Sequence, residues 1–146
     1  MKQTKKRFKA REGAPFKKQD AQRVGEELDS IRKEEGILNP SLVVKHASKK
    51  GSFLNKYFEW DNSRAGEQWR LQQARNIVNH VIEVIIIRGE ETEVRDFVNV
   101  VVEDGSTQYV PFKEALVIES YKQQLLREME KTLENLLNMI KILREQ

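Results

Sequence analysis

The last twenty-one residues of the chain constrain its fold most. Leu126, Met129, Leu133, Leu136, Ile140 and Leu143 follow one another at alternating spacings of three and four. These are the a and d positions of successive heptads, and on a helix they fall along one stripe. A chain with this pattern must build a long C-terminal amphipathic helix, from about Phe112 to the end, and must cover its stripe. Leu125, Leu137 and Met139 widen the stripe beyond a simple two-helix seam. Two readings follow. The helix lies over a sheet of its own chain, or copies associate through it as a coiled coil, because the stripe exceeds what a small sheet can cover.

With 146 residues the chain has the size of one ordinary domain. Its 38% apolar and 34% charged residues place it well outside the disordered range. No apolar run approaches the roughly 20 residues that span a bilayer, and no apolar signal core follows the basic N-terminus. No membrane partner and a cytoplasmic location are expected. There are no cysteines, and the two histidines, His46 and His80, are far apart. Disulfides, thiolate metal sites and cysteine nucleophiles are thereby excluded, and metal, cofactor or triad chemistry is not expected. The expected protein is non-enzymatic.

Charge is distributed unevenly. Residues 1–19 carry Lys2, Lys5, Lys6, Arg7, Lys9, Arg11, Lys17 and Lys18 against Glu12 alone, a balance of +7, and the remainder carries −4. With only two aromatics, this segment reads as a disordered basic arm. It is either a solubility tail or an arm that neutralises nucleic-acid phosphates, with salt-dependent binding.

Residues 20–146 read as a single α+β domain. The helical part covers 20–80. Ala21, Val24, Leu28 and Ile31 form one apolar stripe of a helix over Asp20–Glu35, stopped by Gly36. Asn39-Pro40 starts a short second helix with Leu42, Val43, Val44 and Ala47 on its buried side. Phe53, Leu54, Tyr57 and Phe58 give one or two turns before Trp60, and Asp61, Asn62 and Ser63 are candidate caps for a third helix from about Arg64 to His80. Three helices followed by a hairpin is the order of a winged helix-turn-helix module. Over 81–111 the period changes. Val81–Ile87, Val94–Val102 and Thr107–Val110 are rich in β-branched residues and separated by polar turns, one of them Asp104-Gly105. A three-stranded antiparallel meander is expected.

On the third helix, Leu71, Ala74, Ile77, Val78 and Val81 fall on one side, and Gln68, Gln72, Arg75, Asn76 and Asn79 on the other. Asparagine and glutamine can pair with an adenine edge and arginine with guanine. This face is therefore a candidate DNA reader, and Lys5, Lys6, Arg7, Lys9, Arg11, Lys17 and Lys18 are candidate phosphate contacts. Amide-rich faces also line helix–helix interfaces. The turn Arg88–Glu93, the wing of such a module, carries three glutamates against one arginine and is poorly suited to phosphate. Trp60 and Phe58 read as packed aromatics. Glu59 and Asp61 can hold a divalent ion in principle, but capping and an ion pair to Arg64 suit them better.

Three groups of residues carry a family resemblance: Asp20-Ala21-Gln22 with Gly25-Glu26-Glu27-Leu28, then Phe58-Glu59-Trp60-Asp61, then Trp69-Arg70 with Gln73-Ala74-Arg75. Together they resemble small phage and prophage proteins that usually carry no assigned function, over most of the chain from about Asp20. In that family a proline and a histidine precede the aromatic-acid motif, where this chain has Phe53 and Asn55. The resemblance therefore carries no histidine role over to these positions. The resemblance implies a virus-encoded origin and carries over no catalytic residue.

The expectation is a DNA-binding or DNA-organising protein that self-associates through Leu126, Met129, Leu133, Leu136, Ile140 and Leu143. A structural, assembly or adaptor protein that binds another phage or host protein is the alternative.

Overall fold

A computed structural model describes residues 5–61 and 64–146. It has the expected mixed class: α-helices, a three-stranded antiparallel sheet and a long C-terminal helix. Helix α1 spans Ala21–Glu35 and buries Ala21, Val24, Leu28 and Ile31, the expected stripe. Gly36, at φ 82°, ends it in the left-handed conformation that glycine adopts without strain, and its N–H donates to the Arg32 carbonyl at 2.8 Å. Helix α2, Pro40–Ala47, starts where expected, with the Asn39 side chain accepting from the Leu42 N–H at 2.9 Å. Only Val43 and Ala47 of its apolar residues are fully buried. A 3-10 segment, Phe53–Tyr57, leads towards α3, Arg64–Asn79. The candidate caps Asn62 and Ser63 lie outside the described residues.

The first correction concerns the basic segment. Residues Arg7–Ala10 form strand β1, paired antiparallel with β2, Val81–Ile87. A disordered arm through residue 19 is therefore not what the chain builds. Two interactions across long sequence separations explain the order. The Gln22 side chain mimics a neighbouring strand, accepting from the Phe8 N–H at 2.9 Å and donating to the Lys6 carbonyl at 2.7 Å. The Phe8 ring, in turn, is buried against Gly25. A Cβ at Gly25 would stand 2.3 Å from that ring. Gly25→Ala is thus expected to cost about 1–3 kcal/mol by overpacking, read as a lowered melting temperature; an unchanged value would show that β1 does not need this contact.

The second correction concerns the sheet. Strand β2 also pairs with β3, Glu90–Arg95, through the two-residue turn Arg88-Gly89, both residues at positive φ as a type I′ hairpin requires. The expected continuous strand Val94–Val102 breaks at Asp96. After it, β4, Phe97–Val101, pairs with β5, Thr107–Pro111, in a separate two-stranded sheet. Asp96, Phe97 and Val98 are all buried in succession, which one alternating strand cannot achieve. The kink lets Phe97 join the main core while Val98 and Val100 join a second cluster with Val110, Ala115 and Leu125.

The third correction concerns the C-terminal helix. It does not run unbroken from Phe112, because Ile118 is extended (φ −99°, ψ 108°) between α4, Phe112–Val117, and α5, Glu119–Arg144. The break lets Ala115 and Leu125 both close on the second cluster.

Candidate interaction surfaces

Helix α5 decides which side chains are left for a partner. It packs on α4 and β4 through its first turns, and Leu125 is its one buried residue. From Leu126 onward every residue is exposed. The six a and d residues are all included, from Leu126 at 40% to Leu143 at 72%, with Leu137, Met139 and Ile142 beside them. The helix therefore covers its own sheet only in part: Leu125 closes on Val98 and Val100, and the side chains beyond it keep much of their surface in solvent. Between α5 and the sheets runs a groove of about 790 Å³, with Met129, Leu133 and Leu136 on one wall and Val94, Val98 and Phe112 on the other.

The α3 face is a second surface. Gln68, Gln72, Arg75 and Asn76 are exposed along it, as the helical spacing predicts. Asn79 is half-buried and its side-chain oxygen accepts from Arg95, so it is committed to the fold. Trp69 is about half exposed, beside this face. The residues before the helix pack instead. Phe58 is buried with Trp60 tilted over it at 5.5 Å between ring centroids, the Arg70 guanidinium lies 5.5 Å from the Trp60 ring, and Arg70 also donates to the Glu59 and Asp61 carbonyls.

The basic residues near the N-terminus are largely matched by the chain's own acids. Lys5 pairs with Glu26 at 3.1 Å, Lys6 with Asp29 at 3.4 Å, Arg7 with Glu91 at 2.6 Å and Lys9 with Glu93 at 2.7 Å. The Arg7 hydrogen bond and charge hold the Glu91 carboxyl below its usual range. Arg7, Lys9 and their partners are exposed, so solvent and salt screen each pair strongly and it contributes little to stability. Arg11, Lys17 and Lys18 are exposed, with the Arg11 N–H tied to the His80 carbonyl at 2.9 Å. The glutamates of β3, which made that hairpin a poor wing, are thus the counter-ions of β1.

One cluster went unnoticed in the sequence. Glu83 and Asp96 are both almost fully buried, at 1% and 0% exposure. Glu83 Oε1 meets Lys113 Nζ of α4 at 2.9 Å, yet among the described residues no donor reaches Glu83 Oε2 or either Asp96 carboxyl oxygen. Burial and the facing Glu83 carboxyl push Asp96 up to about 8, against the opposing charge of Lys6. A proton on Asp96 supplies the missing donor between the two carboxyls. The signal was present: in the run Val81–Ile87, Glu83 has the same parity as Val81 and Ile85, which face the core.

Elsewhere, Tyr57 donates to Asp20, and burial with that carboxylate pushes Tyr57 to about 12. His46 stands 2.8 Å from Glu35, and His80 Nδ1 lies 2.6 Å from the Asn76 carbonyl. Among the described residues no group of three His, Asp or Glu side chains is arranged to hold a metal ion. No described helix is long and apolar enough to cross a membrane. Compared with protein-family models, curated proteins and solved structures, the chain matches none.

Proposed function

We propose that this is a non-catalytic assembly or adaptor protein that self-associates through α5. One observation carries the reading: an apolar heptad stripe on a helix whose side chains from Leu126 onward all remain exposed in the single chain. Leaving nine large apolar side chains 40–72% exposed is unfavourable, and each Å² of that apolar surface removed from water contributes about 25 cal/mol. The breadth of the stripe suits a dimer or a higher oligomer. The resemblance to phage proteins agrees with a virus-encoded assembly role. Light scattering on the full chain tests this directly. A mass of at least twice 17.1 kDa is expected at micromolar concentration, and a strict monomer would remove the reading.

A second reading, DNA contact through α3, rests on the exposed row Gln68, Gln72, Arg75 and Asn76. The ion pairs at Lys5, Lys6, Arg7 and Lys9 take away much of the attraction that the basic N-terminal residues would otherwise offer, so this face must supply most of the binding. Arg75→Ala with Gln72→Ala is then expected to weaken a duplex mobility shift at least tenfold at low salt. Equal shifts for parent and variant, or no shift for either, would discard DNA contact by this face.

A further inference from the structure

We infer that the occupant of the exposed α5 stripe is the α5 helix of a second copy, and that the two helices run antiparallel. The inference rests on self-association through α5 and adds the direction and register of the pairing. With Leu126, Leu133 and Ile140 at a and Met129, Leu136 and Leu143 at d, the flanking e row is Glu130, Leu137, Arg144 and the g row is Leu125, Thr132, Met139. Flanking charges set orientation in helix pairs. In a parallel pair the e row of one helix lies along the g row of the other. Glu130 and Arg144 would then face leucine, threonine and methionine, and neither would find an opposite charge. In an antiparallel pair each row meets itself reversed. Glu130 then shares its row with Arg144 of the second copy, Leu137 with Leu137, and the two-fold axis forms the ion pair twice.

The groove favours the same direction. Of the a and d residues, Met129, Leu133 and Leu136 line it. With a opposite d, Leu126 faces Leu143 of the second copy, Met129 faces Ile140 and Leu133 faces Leu136. Each groove thus receives Leu133, Leu136 and Ile140 of the second copy, the turns of that helix farthest from its own α4 and β4 contacts. A parallel pair would instead bring Met129, Leu133 and Leu136 of each helix, nearer those contacts, to the other's groove.

The chain has no cysteine, so single cysteines report the direction without background. Leu126→Cys and Leu143→Cys are made separately, mixed to exchange subunits, and oxidised mildly. Antiparallel pairing predicts cross-links in the mixture and none in either variant alone, because like positions are about 25 Å apart. Cross-links within each variant alone would show parallel pairing and overturn the inference while leaving self-association standing. A monomer by light scattering would overturn both. As a second measurement, Glu130→Arg is expected to weaken association at least threefold, and adding Arg144→Glu to restore it. Failure of that restoration counts against the proposed register.

Discussion

Leu133→Asp combined with Leu136→Asp is expected to make the protein monomeric where the parent associates, raising the dissociation constant at least a thousandfold. Both side chains are about half exposed in the single chain, at 56% and 50%, so the substitution leaves the core intact. In a symmetric pair each substitution acts in both copies, and burying four carboxylates among apolar side chains costs well over the roughly 4 kcal/mol that a thousandfold change requires. The melting temperature of the body, extrapolated to low concentration, should stay within a few degrees of the parent. Lys131→Asp, at the f position away from the stripe, serves as control and is expected to leave the mass unchanged. Light scattering and sedimentation across a concentration series read the effect. A variant that associates as tightly as the parent would show that the partner contacts some other surface.

Asp96→Asn is expected to raise the melting temperature at pH 8 by about 5 °C or more and to flatten its dependence on pH. The folded carboxyl titrates near 8, against 3.8 as the ordinary value. A group raised in this way contributes stability that is fully present below about pH 4 and is lost as pH rises through about 8. The groups that face it are Glu83 from β2, Lys6 from the residue before β1, Asp29 from α1 and, through Glu83, Lys113 from α4. Lys6 and Lys113 offset part of the cost, and Glu83 and Asp29 add to it. A tenfold change in proton affinity corresponds to about 1.4 kcal/mol, so a net gain of about 2 kcal/mol on removing the titration is a restrained expectation. An asparagine amide can donate to Glu83 and does not ionise. Thermal melts of both proteins between pH 5 and 9 decide the matter. A variant that melts below the parent at pH 8, with the same slope against pH, would refute the burial argument.

The local elements were legible because their signals are local. The stripe of α1, the Asn39-Pro40 start of α2, the amide face of α3 and the Val81–Ile87 strand each follow from periodicity or capping within a few residues. Part of the candidate surface was legible in the same way: the α3 row is exposed from Gln68 to Asn76, and the heptads of α5 specify the helix and the stripe. Strand β1 was not legible. Its Arg-Phe-Lys-Ala sequence resembles a solvated tail until Gln22 and Gly25 on α1 and the edge of β2, more than 70 residues away, are brought to it. Asp96 was not legible as a kink, because only two separate cores make three successive buried residues necessary.

By itself, then, the sequence determined that a long amphipathic helix ends this chain, since 3.6-residue periodicity fixes which side chains share a face whatever surrounds them. Whether that face is covered was a matter for the tertiary structure. The break at Ile118 and the closure of Leu125 on β4 bring only the first turns of α5 into close packing, and from Leu126 onward its residues stay exposed. The same holds for charge: composition gave the first 19 residues a balance of +7, but only strand pairing placed Arg7 against Glu91 and Lys9 against Glu93. Periodicity is encoded in neighbouring residues, whereas coverage and charge compensation depend on which distant surfaces meet.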